Sequence, residues 1–245
     1  MASSAARAEW RRTSDLALNT AYTLEEGALQ LGIISPLTVG VTDAFQATFH
    51  PLLLLLGQPT LALRLRVTPV DDVTVALNVA GGWSFVQKED RNGTPVAQAR
   101  RTLRRPWTPD GTTELDVDVG YPGTLQLTAT MTIRLGKSWL VSWGFGPALD
   151  FLGADPIRGA AEVHLSADWL ISAKHLLMVQ LSGYVPVSEA VRLLRPEAQL
   201  LYGWAISDRV QLSAGLGFGD FLWSASESRR TTFPVLPIVD LWFRF

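Results

Sequence analysis

Glu162, His164, Ser166 and Asp168 stand two residues apart along one stretch and carry an imidazole, a hydroxyl and two carboxylates. That inventory could serve a hydrolase with histidine as base, or a metal site built from His164, Glu162 and Asp168. The spacing argues against both. On a strand, side chains two apart share a face but stand roughly 6.5 to 7 Å from one another, too far for a Ser-to-His hydrogen bond. His50 and His175 are the other possible bases, and no GxSxG nucleophile setting accompanies any of the three. Neither catalysis nor a bound metal or cofactor is expected.

What these residues do instead depends on the elements that carry them. Alternation is the dominant signal. In 73–85, Val73, Val75, Leu77, Val79, Trp83 and Phe85 oppose Thr74, Ala76, Asn78, Ala80 and Ser84. In 125–135, Leu125, Leu127, Met131, Ile133 and Leu135 oppose Gln126, Thr128, Thr130, Thr132 and Arg134. Trp139, Val141, Trp143 and Phe145 face away from Leu140, Ser142, Gly144 and Gly146, and Val163, Leu165, Ala167 and Trp169 face away from the Glu162 to Asp168 set. Short Asp-, Ser-, Gly- or Pro-bearing turns separate the strands around Asp43, Asp71, Lys137, Ala173 and Asp208.

Such strands build either a soluble barrel or sandwich with the apolar face inward, or a membrane barrel with that face outward. Charge placement decides. Arg64, Arg66, Arg134, Glu162, Asp168, Arg195, Glu197, Asp240 and Arg244 all share the face opposite the apolar one, where a dry core would bury them at several kcal/mol each. A wet lumen accepts them. The bulk properties agree: 245 residues, 47% apolar, 18% charged and nine Trp. Trp83, Trp139, Trp169, Trp204, Phe243 and Phe245 fall near strand ends, as girdles at two bilayer interfaces require.

Other routes close. The 21 basic against 23 acidic residues offer no electrostatic case for nucleic acid. The absence of cysteine excludes disulfides and thiolate chemistry. The run "PLLLLLG" is interrupted by Pro51, Gly57 and Pro59, far short of the roughly 20 apolar residues of a membrane helix. The first residues, "MASSAARAEWRRTSD", lack the apolar core of a secretory signal, so a signal is expected to be absent from this sequence.

The ending "VDLWFRF" places Val239, Leu241, Phe243 and Phe245 on one face. It resembles the C-terminal β-signal of Gram-negative outer-membrane β-barrels, the stretch that their assembly machinery recognises. The resemblance extends to the whole chain as architecture and implies an outer-membrane location, short turns facing the periplasm, and outer-membrane lipids, lipopolysaccharide and the assembly machinery as partners. No subfamily motif is matched.

The expectation is an all-β fold: a closed antiparallel up-and-down transmembrane barrel of about twelve strands, after an N-terminal periplasmic segment at 1–13. The strands cover 14–24, 27–35, 42–50, 59–68, 73–86, 123–135, 139–151, 158–171, 174–186, 193–206, 209–222 and 232–245, with ten the alternative count if 14–24 is not a strand. A long extracellular loop at 87–122 carries Arg100, Arg101, Arg104 and Arg105, which either clamp lipid-A or substrate phosphates or pair with Asp110, Glu114, Asp116 and Asp118 of the same loop. The lumen charges either form a selectivity constriction or pair off and plug the pore. The expected role is a narrow passive channel for small solutes or ions, with a non-conducting structural or binding barrel as the alternative and a lipid hydrolase third. The leucine run could extend a strand, plug the mouth or meet a partner.

Overall fold

The computed structural model of the chain describes residues 20–33, 35–55, 59–69, 72–83, 87–89, 95–97, 123–152, 155–186, 197–218 and 235–245. In chain order the elements are β1 (Leu29–Gly32), β2 (Leu37–Thr42), β3 (Phe45–Phe49), α1 (Pro51–Leu55), β4 (Thr60–Pro69), β5 (Val73–Trp83), β6 (Gln87–Glu89), β7 (Pro95–Ala97), β8 (Gly123–Leu135), β9 (Trp139–Leu152), β10 (Asp155–Ser172), β11 (His175–Pro186), β12 (Glu197–Ala205), β13 (Val210–Phe218) and β14 (Val235–Arg244). Among the described residues, twelve strands close into one antiparallel barrel, while β6 and β7 pair only with each other. Each barrel strand lies beside its sequence neighbours, with β5 pairing β8 across the β6–β7 hairpin. The seam forms between β1 and β14, where Gln30 faces Arg244 and Leu31 faces Phe243. Two backbone bonds finish it: Leu29 N–H donates to Phe245 C=O at 3.1 Å, and Phe245 N–H donates to Leu29 C=O at 2.8 Å. Closure leaves no sheet edge, which is what a strand protein needs where water cannot satisfy the backbone.

The alternation in the sequence maps onto the two surfaces. Val163 and Leu165 on β10 are about half exposed, while His164 between them and Ser166 and Asp168 beyond them are buried. On β9 Phe145 is 66% exposed and Ser142 wholly buried; on β8 Leu127 points out and Thr128, Thr130 and Thr132 point in. The exterior is an apolar belt running around the barrel, the inverse of a water-soluble barrel and the arrangement lipid requires.

Twelve strands were expected, but the first few are drawn differently. Residues 20–24 are not a strand, and 14–19 lie outside the described residues. The expected strands at 27–35 and 42–50 shorten to β1 and β3, of 4 and 5 residues, and the 6-residue β2 forms almost wholly in the stretch between them. β2 supplies the twelfth strand in place of 14–24. Alternation in Leu37, Val39 and Val41 is too brief to stand out beside Pro36 and Gly40.

Close packing of β8 on β9 rests on a glycine. A Cβ on Gly146 would fall inside contact distance of the Leu127 carbonyl oxygen. Gly146→Ala is therefore expected to destabilise the barrel by about 1–3 kcal/mol, the usual cost of overpacking. Urea unfolding in phospholipid vesicles reads it, and an unchanged midpoint would show that the two strands can part without penalty.

Candidate functional site in the barrel lumen

Residues 20–26, ahead of β1, run through the barrel interior. Gly27, at φ +77°, turns the chain at the short-turn end, where Gly27 N–H donates to Gly40 C=O at 2.9 Å. Residues 20–26 are fixed to the wall one group at a time. Thr23 hydroxyl donates to Asp43 C=O at 2.6 Å, Leu24 N–H to Gln46 Oε1 at 3.0 Å, and Glu26 N–H to Asp43 Oδ1 at 3.1 Å. Arg64 Nη1 donates to Tyr22 C=O at 3.1 Å, and Ala21 N–H donates to Thr132 Oγ1 on β8 at 2.7 Å. Contacts on β3, β4 and β8 mean that the segment crosses the lumen. Thr20, Ala21, Thr23 and Leu24 are buried.

Beside the segment the lumen is filled with apolar side chains. Leu140, Leu170, Leu176, Met178 and Leu201 form a buried cluster, and Tyr22 and Ile238 pack against it. Most of these adjoin the short turns at 136–138 and 173–174. Segment and cluster together occupy the short-turn part of the barrel.

Above them lies a cavity of about 280 Å³. Its floor is Tyr22, Thr23 and Leu24; its walls include Arg64, Asn78, Thr128, Thr130, Glu162, His164 and Trp242. Arg64 Nε donates to Asn78 Oδ1 at 2.6 Å, and Asn78 Nδ2 donates to Thr130 Oγ1 at 2.9 Å and to Thr128 C=O at 3.2 Å. Thr130 Oγ1 stands 3.3 Å from His164 Nε2, and Thr128 hydroxyl donates to Glu162 Oε2 at 3.2 Å. The chain thus ties β4, β5, β8 and β10 together across the lumen wall.

Of the charged residues singled out in the sequence, Arg64 and Glu162 meet at this cavity. Asp168 is buried lower on β10, beside Leu140 and Met178 on the adjacent strands. Arg66 and Arg134 lie on the inner face toward the short-turn end, outside the cavity. Asp240 is buried at the seam, where Oδ2 accepts from Ser35 N–H at 3.1 Å in space left by the missing side chain of Gly32. Arg244 sits 3.9 Å from Glu25 of the crossing segment. Arg195, Arg100, Arg101, Arg104 and Arg105 lie outside the described residues, as does the side chain of Glu197. His164 bonds Thr130, whereas Ser166 Oγ finds no partner among the described residues, so the strand offers no Ser–His pair. Among the described residues no three His, Asp or Glu side chains converge on a metal position.

Outside, the aromatic residues stand at the barrel ends. Trp139 and Trp169 stack at 5.6 Å, and His175 stacks between Tyr202 and Trp204, with Tyr202 OH 2.5 Å from His175 Nδ1. Trp83 and Phe245 are exposed, and Phe243 is half-buried. Leu52 to Leu55 of the leucine run lie in the short helix α1, where Leu52, Leu54 and Leu55 are exposed rather than seated in the barrel mouth.

Sequence reasoning missed three parts of this site: the crossing segment, the apolar cluster and Trp242, which points inward between Asp240 and Arg244. Parity carried a signal for the last two. Trp242, Leu140, Leu176 and Met178 are large apolar residues on the face otherwise given to polar ones.

No protein-family model and no curated protein matches the chain. Among solved structures the chain is similar to the NanC porin in its rhombohedral crystal form, at 8% identity and a TM-score of 0.57 over 88% of this chain and 97% of that one. It is also similar to OmpT of Vibrio cholerae lacking loop L8, at 10% identity and 0.51 over 88% and 62%, and to the in-vitro folded trimer form of that protein, at 9% and 0.50 over 88% and 64%. The chain spans less than two thirds of the OmpT length. At these identities the likeness is one of fold: a closed antiparallel barrel of the outer-membrane type.

Proposed function

We propose that this protein is a Gram-negative outer-membrane barrel that passes small polar solutes or ions through a narrow lumen, with its own N-terminal segment closing the short-turn end. One observation carries the reading. A chamber of about 280 Å³ that carries Arg64, Asn78, Glu162 and His164 on its wall lies inside a barrel whose outside is apolar, so the lumen is where water and solute partition. The likeness in fold to a porin supports it. Planar-bilayer recording of the intact protein beside a Tyr22→Gly, Leu24→Gly double variant tests it. Those residues anchor the segment to the apolar cluster and to the buried floor. Discrete current steps, brief in the intact protein and sustained in the variant, are expected. Silence of both at all voltages removes the channel.

A non-conducting binding barrel is the second reading, favoured by the cluster of Leu140, Leu170, Leu176, Met178 and Leu201 in the short-turn part of the lumen. On either reading the outward row Val239, Leu241, Phe243 and Phe245 meets the assembly machinery, and the belt meets lipid and lipopolysaccharide. Deleting Phe245 also removes both backbone bonds to Leu29 at the seam. Outer-membrane levels of the folded barrel, read by heat-modifiable gel mobility, are expected to fall severalfold, and unchanged levels would strip the ending of that role.

A further inference from the structure

We propose that the lumen chamber binds a small oxyanion, a carboxylate or a phosphate, on the Arg64 guanidinium and the His164 ring. The proposal rests on the reading of the lumen as a solute-accessible space, but not on conduction.

Arg64 is a cation held by neutral groups. Its two bonds go to the Asn78 amide oxygen and the Tyr22 carbonyl, and among the described residues no carboxylate comes within ion-pair distance of it. A half-buried guanidinium in a narrow chamber is stabilised by a counter-ion or by a full set of acceptors. Arg64 lines the chamber and keeps N–H groups beyond those two bonds. The fork of donors matches the two oxygens of a carboxylate or phosphate.

The surroundings hold one another in place. Asn78 spends its oxygen on Arg64 and both amide hydrogens on Thr128 and Thr130, which fixes its orientation. Thr130 accepts from Asn78 and stands 3.3 Å from His164 Nε2. The imidazole lies against Gly144, where an added Cβ would collide with ring atom Cε1, so the absence of a side chain there seats the ring. Gln46 accepts Leu24 N–H with Oε1, leaving its NH2 as a donor at the chamber wall.

Glu162 is the carboxylate that lines the same chamber. It lies one inward position beyond His164 toward the long-loop end and is held by Thr128 and a further interaction. Its charge keeps a bound anion at the Arg64 side. With about 280 Å³ available, the ligand belongs at the small end of the usual range of ligand pockets.

Calorimetric titration of the full-length protein in detergent, at constant ionic strength, tests the proposal with propionate, inorganic phosphate and the neutral isostere propionamide. Saturable binding of propionate or phosphate is expected, and the stronger of the two identifies the source of the oxyanion. Propionamide should bind at least about tenfold more weakly, and Arg64→Gln should lose at least about tenfold for the anion, since bonds to a charged donor exceed 1.4 kcal/mol. Arg64→Lys should restore part of the loss, which a merely structural role would not produce. If Arg64→Gln fails to refold, His164→Gln serves as the second variant and should weaken binding of the anion. Equal binding of amide and anion, undiminished binding by the variants, or no saturable binding overturns the proposal. Anion binding by a protein silent in bilayers leaves the site standing without a channel; conduction with no anion binding leaves the channel without the site.

Discussion

Replacing Leu165 by Arg is expected to destabilise the folded barrel by about 2–4 kcal/mol in phospholipid vesicles, the cost of a guanidinium on the lipid face near the midplane of a transmembrane barrel. Leu165 lies near the middle of the 18-residue strand β10 and is 46% exposed, with Val163 and Phe145 exposed beside it. In water such a position is the least sensitive kind in a protein: surface substitutions away from special features usually stay within about 0.5 kcal/mol. The same residue therefore discriminates two solvents. Ser166 next to it, buried and facing inward, is the comparison, because Ser166→Ala removes one hydroxyl without touching lipid. Equilibrium urea unfolding of both variants measures the difference. A Leu165→Arg midpoint equal to that of the parent chain would mean that the belt faces water.

Conductance is expected to switch off when residue 21 is bonded covalently to residue 132. Ala21 N–H donates to Thr132 Oγ1 at 2.7 Å, across a sequence separation of 111 residues, which makes the two positions direct neighbours and candidates for a cysteine pair. The chain has no cysteine, so an Ala21→Cys, Thr132→Cys pair has one possible bridge. Oxidation fixes the crossing segment to β8; dithiothreitol frees it. Under the proposed function, current steps vanish in the oxidised form and return on reduction, while each single-cysteine variant behaves like the parent in both conditions. Steps of equal size and frequency before and after reduction would place the solute path elsewhere than beneath this segment.

Much of the barrel was legible because a strand's two faces are a local property. Side chains alternate whatever the strand's neighbours are, so Val163 and Leu165 against Glu162, His164, Ser166 and Asp168 could be sorted without a structure. The direction of the sorted faces was legible too, since many charged groups on one face cannot share a dry core. The segment at 20–24 was misassigned for a related reason. An extended chain with alternating residues looks alike whether its backbone pairs with a strand or is caught by side chains, and here Thr132, Arg64 and Gln46 do the catching. Nothing local distinguishes the two. β2 was lost because six residues interrupted by glycine carry too little pattern.

The amino-acid order by itself determined an all-β chain with apolar strand faces turned outward, hairpin connectivity, a lumen lined by Arg64, Glu162, His164 and Asp168, and an apolar row ending at Phe245. Periodicity and the cost of burying charge are enough for that. Tertiary structure alone decided which lumen residues meet. Arg64, Asn78, Thr130 and His164 come from four strands, Ser35 reaches Asp240 across 205 residues, and the crossing segment turns a tube into a chamber with a floor. Such contacts depend on barrel closure and register, which are set by the whole ring of strands at once and leave no trace in any single stretch.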